Sequence, residues 1–205
     1  MNSPFLRYAK EYDAWYKRNT YAYLSELRAL KKVLPKKGKG LEIGVGTGRF
    51  AAPLGIEWGI DPAEPMLATA KAGGVKVKTG VAERIPFADR SFDYAAIIIS
   101  ICFFKNPLKA LREAHRVLKK DGKLIIAIVD KNSFLGKAYR KKKSIFYKQA
   151  RFFGVKEIEE LLRASEFRIT SSYQTLFSLP ERMRSVQKPR RGFGKAGLRL
   201  SKQEK

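Results

Sequence analysis

Apolar positions follow two different periods along the 205 residues of the chain. From 5 to 34 they recur at three- and four-residue steps: Phe5, Tyr8, Tyr12, Trp15 and Tyr16, then Tyr23, Leu24, Leu27, Leu30 and Leu34. That spacing predicts amphipathic helix. Asn19-Thr20 interrupts the run, with either residue capping a second helix, and Pro35 and Gly38 end it. Residues 39–45 then read as a strand and 49–54 as a short helix. A second strand, 57–60, delivers Asp61 at its carboxyl end. Pro62 opens a helix to Ala72 that Gly73-Gly74 stop, and Val75 to Val81 alternates as a third strand. Phe92 to Ile101 is an unbroken apolar and β-branched run, as expected of a central parallel strand buried on both faces.

A helix from Asn106 to Lys120, closed by Asp121-Gly122, precedes a fifth strand from Lys123 to Val129. Past Asp130 the pattern changes. Residues 133–153 are basic and aromatic and read as one or two helices, and 155–165 as an amphipathic helix. Residues 167–177 alternate as a strand, 182–191 read as a charged loop, and 193–200 as a final strand. Strands alternating with helices predict an α/β domain whose parallel sheet is covered on both faces. The length suits one domain with a full core.

Charge adds a question about partners. The formal net charge is +24, and part of it is clustered at Arg140 to Lys143, at Lys188 to Arg191, and at Lys31-Lys32 with Lys36-Lys37. Such a surface suits RNA, DNA or an acidic lipid face, or else the Lys-rich exterior of heat-adapted proteins. The lone Cys102 cannot form an intrachain disulfide, and with the single His115 it leaves no Cys/His zinc cluster; no metal site is expected. His115 lies in a plain helical pattern and reads as structural. No apolar run approaches the roughly 18 to 20 residues that span a bilayer. The first seventeen residues lack the apolar core of a signal peptide, so a cytoplasmic location is expected.

The candidate chemistry sits at Leu41 to Phe50, where a strand breaks into Gly44, Gly46 and Gly48. Alternating glycines make a tight turn and let main-chain N–H groups approach a ligand. Asp61, one strand later, is placed to accept from both hydroxyls of a ribose. The loop Thr79 to Glu83 is a slot for a base, with Pro62 and Met66 able to pack on its faces. These residues predict a nucleotide-like cofactor over the carboxyl end of the first strand.

Leu41 to Phe50 resembles the glycine motif of class I S-adenosylmethionine-dependent methyltransferases. Trp58 to Pro62 with Met66-Leu67 resembles their second motif, and Gly80 to Phe87 followed by Ser91-Phe92-Asp93 their third and fourth. The likeness spans roughly 39–130 and is nearest to the quinone-biosynthesis methyltransferases. It implies a doubly wound, mostly parallel, seven-stranded sheet with the last strand antiparallel. It also implies a single domain with a helical lid at 1–35, a cofactor core at 39–130 and substrate-side elements at 131–205. Carried over, Glu42 orients the glycine loop or the amino group of the methionine moiety, which Gly44, Gly46, Thr47 and Gly48 face. Asp61 binds the ribose, the main chain of Ala82 meets the adenine edge, and Ser100 and Ile101 lie near the sulfonium. Many relatives carry Asp where this chain has Val81, so Glu83 or a water must replace that acceptor.

Tyr16 is expected to cap the cofactor. The aromatic face it belongs to fits either a lid or ordinary core packing. Tyr8, Tyr12 and Tyr16, with Tyr147 and Arg151, are substrate-side candidates, and no catalytic base is singled out. Gly-x-Gly-x-Gly before Arg49 does not meet the dinucleotide pattern Gly-x-Gly-x-x-Gly, which disfavours a nicotinamide enzyme. The favoured expectation is methyl transfer to a small-molecule acceptor. RNA methylation, or non-catalytic RNA binding through the basic runs, are the alternatives.

Overall fold

In the computed structural model, which describes residues 4–142, 144–192 and 196–205, two helices come first, α1 (Ala9–Arg18) and α2 (Thr20–Val33). Asn19 separates them and occupies the N-cap of the second, but without a side-chain capping bond. Its side-chain amide donates back to the carbonyl of Trp15 at 2.9 Å, closing the first helix instead. Strands and helices then alternate: β1 (Gly40–Ile43), α3 (Ala51–Leu54), β2 (Trp58–Asp61), α4 (Glu64–Ala72), β3 (Lys76–Thr79), β4 (Phe92–Ile98), α5 (Pro107–Val117) and β5 (Leu118–Val129). The last part holds α6 (Phe134–Lys141), α7 (Val155–Arg163), β6 (Arg168–Thr175), β7 (Arg190–Arg191) and β8 (Leu198–Glu204).

One sheet of eight strands runs β3-β2-β1-β4-β5-β8-β6-β7. The first five strands pair in parallel, and β8 inserts antiparallel between β5 and β6. Its face-to-face alternation builds two cores. Leu41, Ala95 and Ile97 pack toward α5 and α7, while Tyr94, Ala96 and Ile98 pack toward α2. Both faces are therefore covered, which is why β4 reads as a continuous apolar run.

Several element boundaries differ from the sequence expectation: β4 ends at Ile98, not Ile101, and β3 spans 76–79, not 75–81. The helix ends at Val117, because Leu118 already pairs with Phe92 before a bulge sets the register Tyr94↔Lys123. The final strand falls at 198–204, not 193–200, and 193–195 lie outside the described residues, as does Lys143 of the basic run. Its polar end, Ser201 to Glu204, looks unlike a strand, but neighbours on both sides satisfy its main chain. Arg190-Arg191, expected in a loop, pairs with Tyr173 and Gln174 as an eighth strand at the sheet edge.

One buried ion pair ties the late strands to the core. Arg199 Nη2 of β8 lies 3.3 Å from Asp130 Oδ2 at the end of β5, and Arg199 Nη1 donates to Gln174 Oε1 of β6 at 3.0 Å. Both charged side chains are under one-tenth exposed, at 6% and 7%. Removing one partner strands the other in a medium of low polarity. Asp130→Ala is expected to lower stability by about 3–5 kcal/mol, measured by urea denaturation.

Candidate active site

The strand order reverses between β1 and β4, so the chain diverges at their carboxyl ends and leaves a crevice there. The glycine turn forms its floor. The N–H groups of Gly44 and Val45 both donate to Ile60 O at 2.9 Å, folding the turn onto β2. Gly44 takes φ +77°, and a Cβ there would stand 2.6 Å from Ser100 Cβ. Ser100 in turn donates its hydroxyl to Ile43 O at 2.8 Å, so the ends of β1 and β4 are locked together. Gly46 differs. At φ +52° its Cβ direction meets only Tyr12 Cε1, 3.9 Å away, so this glycine opens toward the crevice. Gly48 does neither, since a Cβ there would press on Ala70 of α4 at 3.1 Å.

Asp61 stands at the turn. Its Oδ2 accepts from Gly46 N–H at 3.0 Å and its Oδ1 from Ala63 N–H at 2.9 Å. Burial raises its pKa above the ordinary value, and those two N–H groups pull it back. Glu42 is buried beneath the turn, and its Oε2 has no partner. Burial holds its carboxyl well above the usual range, with the Ala51 N–H opposing and the Asp61 charge adding to the rise.

A cavity of about 1290 Å³ extends from this turn under α1. Of the residues expected at the site, Tyr16, Gly44, Gly46, Asp61, Pro62 and Met66 lie on its wall. So do Ala82, Glu83, Ser100 and Ile101, whereas Glu42, Thr47 and Gly48 do not. Glu83 Oε1 accepts from Asn106 N–H at 3.0 Å, so one of its oxygens is already engaged at the start of α5. Val81 is exposed beside it on the same wall. Of the substrate-side candidates Tyr12 and Tyr147 line the cavity, but Tyr8 is exposed outside it. Arg151 also stays outside, its guanidinium 5.0 Å over the Phe153 ring. His115 is likewise remote, packed edge-on against Phe167 at 5.3 Å.

Two acids escaped the sequence reading. Asp13 on α1 accepts from Thr47 Oγ1 at 2.7 Å and from Arg49 Nε at 2.8 Å, latching the helix across the glycine turn. Glu26 on α2 is 3% exposed, lies on the cavity wall, and has an unpartnered Oε2. Neither was given a role from the sequence, because no local pattern marks a helical acid that distant elements will bury or bond. Tyr12 and Tyr16, one turn apart, share a 2.8 Å hydrogen bond over the cavity, and Tyr16 also packs edge-on to Phe50 at 5.8 Å.

The profile of a methyltransferase domain matches residues 41–126. A Thermotoga maritima protein of known structure superposes with a TM-score of 0.95 at 45% identity, over 98% of each chain. It is described as a "SAM-dependent methyltransferase, possible histamine N-methyltransferase". The chain belongs to the class I S-adenosylmethionine-dependent methyltransferases. An uncharacterised protein of Methanocaldococcus jannaschii is 44% identical over 95% of both chains. A ubiquinone/menaquinone biosynthesis C-methyltransferase of Citrifermentans bemidjiense is 33% identical over 114 residues, 48% of each chain.

S-adenosylmethionine is the cofactor of this methyltransferase, and the residues fit it. The donor carries positive charge at its sulfonium and ammonium, and the crevice offers carboxylates and a glycine facing open space. Burial is the dominant force on these acids. It pushes Glu26 from 4.5 up to about 8. A carboxyl raised in the folded state gives its full contribution below its unfolded pKa and loses it as pH rises through the folded one. The thermal midpoint of the ligand-free methyltransferase should therefore fall between about pH 4.5 and about pH 8. Glu26→Gln should fall less over that window, with Glu42 retaining part of the slope, as calorimetry at several pH values will show.

Proposed function

We propose that this methyltransferase methylates a small molecule enclosed beside Ser100, with α1 acting as a lid over donor and acceptor. The observation that carries this is the character of the cavity: Phe5, Tyr12, Tyr16, Phe146, Tyr147 and Phe152 line it, a wall suited to a compact organic acceptor. Its volume of about 1290 Å³ exceeds the ~300–1,000 Å³ typical of single-ligand sites, leaving room for two ligands. The domain layout follows: 1–35 covers, 39–130 holds the cofactor, and 131–205 supplies α6 and the aromatic segment on the acceptor side.

S-adenosylmethionine supplies an already activated methyl, so the protein has only to align, orient and exclude water. In this reading Asp61 accepts from the ribose hydroxyls and Gly46 lets the methionine moiety approach the turn. Glu42 orients the glycine loop or the amino group of the methionine moiety from beneath, and Thr47 keeps the lid seated through Asp13. Gly44 and Gly48 shape the turn. Pro62 and Met66 pack on the base, the main chain of Ala82 meets its edge, and Glu83 offers its second oxygen. Ser100 and Ile101 flank the reacting sulfur, and Tyr16 closes over the cofactor.

A second reading keeps the chemistry and changes the acceptor to RNA. It is favoured by the +24 charge and by the exposed Lys188, Arg190 and Arg191 at the sheet edge. The two separate cleanly. A cell extract incubated with methyl-labelled cofactor is fractionated into RNA, protein and small molecules. Label is expected in the small-molecule fraction, and label confined to RNA would overturn the first reading. Tyr16→Ala should weaken cofactor binding about tenfold in titration calorimetry, the loss of ~1.4 kcal/mol that one aromatic contact supplies. Unchanged affinity would remove Tyr16 from the cofactor site.

A further inference from the structure

We propose that Glu26 is the acceptor-side acid of this active site, anchoring a protonated amine and taking its proton before methyl transfer. The proposal rests on the small-molecule reading above. It begins from a group that packing does not explain. Glu26 sits mid-helix in α2, 3% exposed, with one oxygen bonded to nothing. The buried neighbour Ser25 is satisfied twice, donating to Tyr21 O at 2.6 Å and accepting from Gln187 N–H at 2.8 Å. A buried acid without a partner destabilises a fold, so an apolar residue would serve better there if packing were the sole demand.

The sign of the charge points to the ligand. The chain as a whole carries +24, yet the cations on the cavity wall, Arg18, Lys105, Lys109 and Lys142, are all exposed. The acids set below the surface are Glu26, which is buried, and Asp61 and Glu83, which are half-buried, while Glu11 is exposed. Asp61 belongs to the glycine turn. Glu26 shares the cavity wall with Tyr139 and Tyr147 of the late segment and with Tyr12 and Tyr16 of α1, and when ionised it raises the hydroxyls of all four. Tyr139 and Tyr147 stack at 4.7 Å and 19°. Aromatic faces beside a buried carboxylate favour a cation, because ring quadrupole and anion attract it together. A phenolate or a phosphorylated acceptor would meet the wrong sign.

The chemistry balances. Amines are protonated in water and have no free lone pair. The Glu26 carboxylate accepts one proton from R–NH3⁺, giving Glu26–COOH and R–NH2. The freed nitrogen lone pair forms the new N–C bond, while the pair of the breaking C–S bond stays on sulfur. The product leaves as R–NH2–CH3⁺, and Glu26 returns its proton to solvent. The titratable groups that feel the Glu26 charge are Tyr12 and Tyr16 from α1, Tyr23 from its own helix, Tyr139 from α6 and Tyr147 from the turn after it. Burial raises every one of these hydroxyls, so they stay neutral across the range in which Glu26, pushed to about 8, ionises. Glu42, raised as well, faces the glycine turn.

The test uses the full chain saturated with S-adenosylhomocysteine and matched probes: 2-phenylethylamine against 2-phenylethanol, and butylamine against butanol. Titration calorimetry should show each amine binding at least about tenfold tighter than its alcohol, a difference within reach of a desolvated cation–aromatic contact plus a carboxylate. Amine affinity should rise from pH 6 to pH 8 and alcohol affinity should not. Glu26→Gln, isosteric and checked for folding by its thermal midpoint, should abolish the preference while leaving S-adenosylhomocysteine affinity unchanged. Equal binding of amine and alcohol to the parent overturns the proposal. So does a loss of S-adenosylhomocysteine affinity in Glu26→Gln, which would assign the acid to the cofactor. Absence of binding by all four probes also overturns it. In that case label in the RNA fraction shows that the small-molecule reading has failed, and label in the small-molecule fraction shows that only the role of Glu26 has.

Discussion

The site depends on one carboxylate bridging two strands. Asp61 ends β2, but its oxygens accept from Gly46 on the turn after β1 and from Ala63 at the start of its own helix. That contact holds the glycine turn in the one conformation that opens Gly46 to the cavity. It also places a negative charge where the strand order reverses, which is where an open α/β sheet has room for a ligand. Ser100 completes the frame from β4 by holding Ile43 O. The crevice is thus a consequence of sheet topology, braced by two short side chains.

Around that frame the protein accepts costs that a simple core would avoid. Three carboxyls are buried or nearly so, and burial lifts each of them. Ile99, β-branched, takes φ +55° just past β4, a conformation that costs on the order of 1–3 kcal/mol. It is held there by its N–H donating to Ala127 O at 2.9 Å, and it lies on the cavity wall. Strain and buried carboxyls gather at the crevice. The exterior carries the opposite sign, so the electrostatics of surface and site are separate designs.

The aromatic N-terminal helix joins these two parts. Thr47 and Arg49 hold it through Asp13, and Tyr12 and Tyr16 hang over the cavity from the same helix. Packing and covering are therefore not alternatives for this face. Tyr16 is buried among Trp15, Tyr23 and Phe50 and still lines the cavity.

Much of this was legible in the residues alone. The alternation of periods gave the β-α order, the glycines located the turn, and Asp61 followed from its place at the end of a strand, because these signals are local. Local signals also explain the misses. β8 is half polar, and only pairing on both sides makes Ser201 to Glu204 a strand. Gly48 looked equal to Gly46 until α4 packed against it. Glu26 drew no notice in the sequence, since helical periodicity cannot say that it will be buried on a cavity wall. The order of residues determined the family, the β-α order and the glycine turn. Only the tertiary structure decided which acids are buried and what faces them, because burial depends on elements distant in sequence coming together.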